Sequence, residues 1–219
     1  MKTDSQIQKD VILALEWDPS ISHELIGVST SSGVVTLSGD VPSYFEKVEA
    51  EKIAQRVGGV KAVVEKIEVR MSDLYVKDDQ EIAEAILNQF KWNYNVPNDK
   101  IKIRVENGWV ELKGEVEWEY QREAAKSSIQ DLIGVQGISN KITLKAKTVD
   151  ASAIKMRIET ALKNEAKREA SKIAVDVTGG TVTLTGDVHS FAELDKAKWA
   201  AWAVPGVSKV QNDLNVKSY

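Results

Sequence analysis

At 219 residues the chain has room for one large domain or up to three small ones. Its 42% hydrophobic and 28% charged residues are ordinary for a soluble globular protein, and a formal net charge of -4 weighs against a nucleic-acid partner, which usually meets a basic face. Cysteine is absent, which excludes disulfides, thiol chemistry and cysteine metal sites, and no stretch approaches the roughly 20 apolar residues needed to span a bilayer.

In chain order, the start Met1-Lys2-Thr3-Asp4-Ser5 lacks the apolar run of a secretory signal, so a cytoplasmic location is expected, or a periplasmic one if a signal has been removed from the native chain. Ile7, Val11 and Leu15 recur every fourth residue and predict one buried face of a helix, opened by Thr3 with Gln6 at capping-box spacing and stopped near Pro19. Ile26 and Val28 predict a strand. Thr30-Ser31-Ser32-Gly33 supplies turn chemistry, and Gly33-Val34-Val35-Thr36-Leu37-Ser38-Gly39-Asp40-Val41 reads as the return strand, with the second glycine at its end. Ser43 with Glu46 opens a second helix. Gly59 is placed as its left-handed stop, and Val60, Val63, Ile67 and Val69 close the unit as a last strand.

The unit then repeats without gaps. Gly33, Gly108 and Gly180 align at offsets of 75 and 72 residues, as do Gly39, Gly114 and Gly186, and Gly59, Gly134 and Gly206. The expected architecture is α+β: three tandem αββαβ modules at 1–71, 72–147 and 148–219, each a small three-stranded mixed sheet with two helices on one face. Ser190 with Glu193 repeats the second capping box, whereas Trp118 replaces the serine in the middle copy and removes that cap. The first helix of the third copy lacks the proline stop, so it is expected to run on through Lys167 or Arg168.

The order of elements and the Gly-x-Val-x-Leu-x-Gly-Asp-Val core resemble the bacterial osmotic-stress and nodulation (BON) domain, with Trp109 and Glu115 as mild departures in the second copy. The resemblance covers nearly the whole chain. It implies a lipid-associated binding module of the bacterial envelope, linked to osmotic protection.

No constellation for catalysis emerges. His23 and His189 occupy different places in their modules and read as surface histidines. Asp40, Glu115 and Asp187 recur, but a carboxylate without a base, nucleophile or ligand partner is not an active site. The glycines flank a strand and precede no Gly-Lys-Ser/Thr, so they form no phosphate loop. No enzyme activity, cofactor or metal is expected.

The copies act as controls on one another. Trp199 aligns with Lys52 and Ser127, and Trp202 with Gln55 and Gln130, so two large apolar groups stand where the other copies are polar, three residues apart on one helix. That pair suits packing against a neighbouring module, a subunit contact or a membrane interface. Trp17 and Trp92 align with Asn164 and are expected half-buried, supporting the end of the first helix; Trp118 is expected exposed, near Tyr120. Residues 1–71 hold 8 basic and 11 acidic groups, 72–147 hold 11 and 13, and 148–219 hold 10 and 9, so only the third module is net positive. Lys155, Arg157, Lys163, Lys167, Arg168 and Lys172 concentrate in its first helix and exit, interspersed with Glu159, Glu165 and Glu169. Such a cluster either meets anionic headgroups or is a solvated helix face. The leading expectation is a non-enzymatic binding protein whose third module is the contact surface, through Trp199, Trp202, Lys155, Arg157, Lys163, Lys167 and Arg168; the resemblance implies anionic phospholipid as what it meets. The alternative is a cytosolic scaffold that self-associates or gathers protein partners.

Overall fold

The computed structural model describes residues 2–70, 77–145, 150–165 and 173–217. Each repeat forms the expected elements: α1 (Asp4–Glu16), β1 (Ile26–Ser31), β2 (Val34–Val41), α2 (Tyr44–Arg56) and β3 (Ala62–Val69), then α3 (Asp79–Trp92), β4 (Ile101–Glu106), β5 (Trp109–Val116), α4 (Glu119–Ser127) and β6 (Gly137–Leu144), and last α5 (Ala151–Glu165), β7 (Ile173–Thr178), β8 (Thr181–Val188), α6 (Phe191–Trp202) and β9 (Lys209–Val216). Three three-stranded sheets result, ordered β1-β2-β3, β4-β5-β6 and β7-β8-β9. In the first and third, the central strand pairs antiparallel with the strand before it and parallel with the strand after the crossover helix. Lys2–Thr143 form one compact unit, and a second begins at Leu144.

The caps set the helix starts. Gln6 N–H donates to Thr3 Oγ1 while Gln6 Oε1 accepts from Thr3 N–H, and Asp78 with Glu81 does the same for α3. The Ser43 and Ser190 hydroxyls accept from Glu46 and Glu193 N–H, each at 3.2 Å. At α4 an indole cannot accept. Half of the box survives because Gln121 Oε1 accepts from the N–H groups of Glu117 and Trp118 at 3.0 and 3.1 Å. Ile7, Val11 and Leu15 are buried on α1, Ile82, Ile86 and Phe90 on α3, and Ile154 and Ile158 on α5. Val35 and Leu37, Val110 and Leu112, and Val182 and Leu184, the alternating inward residues of the central strands, are buried in the same modules.

Two glycine sets sit differently from the sequence expectation. Gly39 lies inside β2, not at its end: it pairs with Ile26, where the antiparallel ladder stops, while Asp40 and Val41 continue in the parallel ladder with Glu68 and Val69. A β-carbon on Gly39 would stand 2.0 Å from the Leu25 carbonyl oxygen, so the entry to β1 passes through the space a side chain would need. Gly59, Gly134 and Gly206 have φ near +100° (101°, 99° and 98°), but they lie three to seven residues beyond helices that end at Arg56, Ser127 and Trp202. They are loop positions. Gly59 runs against Ile7 and Gly134 against Ile82, so each permits close approach of the loop to the first helix.

On each third strand one backbone donor is taken by a side chain of the same strand. Glu65 accepts from Ile67 N–H, Asn140 from Ile142 N–H at 3.2 Å and Asn212 from Leu214 N–H at 3.4 Å. Side chains two residues upstream thus occupy donors that would otherwise template another strand. Tyr44, at the start of α2, is pushed up in pKa by burial, with the backbone of Ile138 in β6 acting in the opposite direction, so the first two modules meet there.

Candidate functional site

The tryptophan pair of α6 divides. Trp199 is 51% exposed, as its counterparts Lys52 and Ser127 are exposed, whereas Trp202 is 8% exposed. Trp202 is therefore not open to a lipid surface or an external partner. The comparison among copies misled at this position because Gln130 is itself buried, so a polar residue there does not mark a solvent-facing site. Lys155 and Arg157 are exposed on α5, on either side of Met156, which is 65% exposed. Lys163 lies near the end of α5, while Lys167, Arg168 and Lys172, with the expected run-on of the helix, lie outside the described residues.

Trp17 and Trp92, expected to be half-buried, are 84% and 83% exposed. The reason is geometric. The buried stripes end at Leu15 and Phe90, and a residue two positions further is rotated by about 200° around the helix, away from the core. Both indoles sit on helix ends fixed by a side-chain turn. Asp18 Oδ1 accepts from Ser20 N–H at 3.0 Å and from the Ser20 hydroxyl at 2.6 Å, and Asn93 Oδ1 accepts from Asn95 N–H at 3.0 Å. The Ser20 hydroxyl, then the Ser20 N–H, hold the Asp18 carboxyl below its usual pKa. Leu13, four residues before Trp17, and Leu87 and Tyr94, flanking Trp92 in sequence, are also exposed. Sequence reasoning missed this surface although its signal was present: neither tryptophan falls on the four-residue stripe. Trp118, expected exposed, is half-buried; its neighbour Tyr120 is exposed.

The recurrent acid of the glycine frame is an ion-pair partner. Asp40 meets Arg70 at 3.0 Å and Asp187 meets Lys217 at 2.7 Å, each bridging the central strand to the residue after the last strand. The spacing of 30 residues, repeated by Glu115 and Lys145, made this pairing visible in principle. His189 lies 3.2 Å from Glu193 at the start of α6, and His23 belongs to a single 3-10 turn before β1. Among the described residues no cluster of three or more potential metal ligands occurs, and no helix is long and apolar enough to cross a membrane.

Comparison with known proteins matches this architecture. The BON domain family aligns three times, at residues 3–71, 78–146 and 150–218. Osmotically-inducible protein Y of Escherichia coli (strain K12) is 33% identical over 146 residues, 65% of this chain and 73% of that protein. Among solved structures, CdsD, a structural protein of the type III secretion system of Chlamydia trachomatis, aligns over 96% of this chain and 92% of its own at 14% identity, with a TM-score of 0.29. The PrgH periplasmic domain aligns over 95% and 99% at 12% identity, with a TM-score of 0.23. Superpositions this loose carry no functional argument. The three family matches each enclose one αββαβ unit with its glycine frame, and on that agreement the chain belongs to the BON domain family.

Proposed function

We propose that this chain is a non-enzymatic binding protein that associates with anionic phospholipid surfaces and serves in osmotic or related stress protection. The observation that carries the reading is the pair Trp17 and Trp92, equivalent in two modules and more than four-fifths exposed at helix ends followed by hydrogen-bonded turns. Amphipathic indoles favour the headgroup level of a bilayer, and burying one there stabilises association by on the order of 2 kcal/mol. Trp199, Lys155 and Arg157, all exposed, supply a secondary contact in the third module, the one with a net positive charge. The stress role rests on family membership and on the name of the Escherichia coli relative.

Sedimentation with vesicles tests the reading. The full chain is expected to pellet with vesicles containing phosphatidylglycerol at low salt and to remain in solution with phosphatidylcholine alone. A Trp17→Ala/Trp92→Ala double variant is expected to lose most of the bound fraction. If the unaltered chain fails to pellet at low salt, the lipid reading is wrong. If its mass by light scattering then rises with concentration, the indoles serve self-association instead.

A further inference from the structure

The open faces of the three sheets carry very different chemistry at equivalent positions. Where the first sheet presents Gly27, Ser38 and Lys66, and the third presents Ala174, Thr185 and Asp213, the second presents Lys102, Lys113 and Lys141. Lys102 and Lys113 are direct cross-strand partners on β4 and β5, and Lys141 on the adjoining β6 shares the carboxylate of Glu111 with Lys113. Three lysines therefore stand side by side on three strands, a backbone span of roughly 10 Å at the usual strand spacing, with the ammonium groups of Lys113 and Lys141 turned to Glu111. Arg104, opposite Glu111, adds a fourth cation one row away. Like charges directly opposite on neighbouring strands are destabilising, so the row needs an anion. The protein supplies part of one. Glu111 is held at a pKa of about 2 by Lys113 and then Lys141, and Arg104 is bound by Glu106 at 2.7 Å. Lys102 has no carboxylate partner among the described residues. Glu115 lies one row beyond, on the same strand as Lys113.

We infer that the outer face of the β4-β5-β6 sheet binds a soluble linear polyphosphate, laid across the strands along Lys102, Lys113 and Lys141, with Glu111 as the internal anion it displaces. A linear anion with several phosphates matches a linear row of cations better than a single phosphate does. A bilayer is a poorer fit, because the lysine row carries no exposed apolar side chain. Trp109, the exposed aromatic of this face, lies two rows away and packs against Gly137, where a β-carbon would stand 2.4 Å from the ring. This site is independent of the helix-end indoles.

Calorimetric titration of the full chain with tripolyphosphate at low salt tests the inference. Binding is expected, weakening as salt rises, and inorganic phosphate is expected to bind at least about tenfold more weakly, since it meets fewer of the three lysines through charge-assisted contacts. Lys102→Gln breaks no internal ion pair and is expected to weaken tripolyphosphate binding about fivefold or more, while Lys155→Gln leaves it unchanged. Glu111→Gln removes the competing carboxylate and is expected to tighten binding several-fold, an outcome that a purely structural ion-pair cluster would not give. Three results would overturn the inference: no binding of tripolyphosphate, equal binding of inorganic phosphate, or Lys102→Gln and Glu111→Gln both behaving like the unaltered chain. Vesicle binding that survives Lys102→Gln but not Trp17→Ala/Trp92→Ala assigns lipid to the helix ends and leaves the sheet face to the soluble anion.

Discussion

The carboxylate of Asp4 clamps the turn at Gly33: its two oxygens accept from the N–H groups of Ser32 at 2.8 Å and Gly33 at 2.9 Å. Asp79 does the same for Asn107 and Gly108, at 2.8 and 2.9 Å. Both turns have positive φ at the two central residues, 54° and 79° in the first and 50° and 75° in the second, the type I′ geometry that matches strand twist. The third module has Ala151 at the clamp position and Gly179-Gly180 in the turn, where φ is positive at Gly179 only. Clamp and turn type change together. Asp4→Ala is therefore expected to cost about 1–2 kcal/mol, the scale of a partly exposed charged hydrogen bond, and to speed amide exchange at Ser32 and Gly33. Unchanged exchange at those two amides would show that the clamp contributes nothing in solution.

Replacing glycine by alanine should separate two roles that look alike in sequence. At Gly39 the added carbon would stand 2.0 Å from the Leu25 carbonyl oxygen, and at Gly114 2.1 Å from that of Lys100. Backbone must move in either case, so a loss above about 4 kcal/mol or failure to fold is expected. At Gly179 (φ +60°) nothing lies within 4 Å, and only the conformational penalty of roughly 1 kcal/mol applies. Thermal denaturation of the three variants checks the order; equal losses at Gly39 and Gly179 would contradict it.

The fold was legible because the modules calibrate one another: an ungapped register fixes helix faces, strands and turns at once. Distances that depend on strand pairing were less legible. Lys102, Lys113 and Lys141 are scattered in sequence and become neighbours only when β4, β5 and β6 assemble. Comparing copies for apolar outliers passed over them, since lysine on a strand is unremarkable in isolation. Gly39 reads in sequence as a strand end, but only β1 stops opposite it while β2 runs on beside β3, a fact that the central strand alone does not carry. Trp202 shows the opposite limit, where a buried amide at Gln130 imitated an exposed position.

That burial separates the two tryptophans of α6 by experiment. Trp202→Ala removes a side chain that is 8% exposed and is expected to destabilise the chain by about 3–5 kcal/mol. Trp199→Ala removes one that is 51% exposed and is expected to cost under about 1 kcal/mol while lowering any membrane contact of the third module. Urea denaturation gives the first difference and vesicle sedimentation the second. A stable Trp202→Ala variant with impaired vesicle binding would restore Trp202 to the contact surface.

Acid titration reaches the lysine row directly. The Glu111 carboxyl falls from its usual 4.5 to about 2 in the folded chain, first through its hydrogen bond to Lys113 and then through that to Lys141. A carboxyl whose folded value is depressed stabilises the fold fully above its unfolded value, and the contribution fades as pH drops from about 4.5 toward 2. The unaltered chain is therefore expected to exceed Glu111→Gln in melting temperature at pH 6, with the gap narrowing steadily below pH 4.5 and closing near 2. Because Lys113 and Lys141 are more than half exposed, salt should shrink the gap at pH 6. A gap that stays constant between pH 6 and pH 2.5 would mean that Glu111 is not paired with these lysines in solution, and the row would then face its ligand without an internal anion to displace.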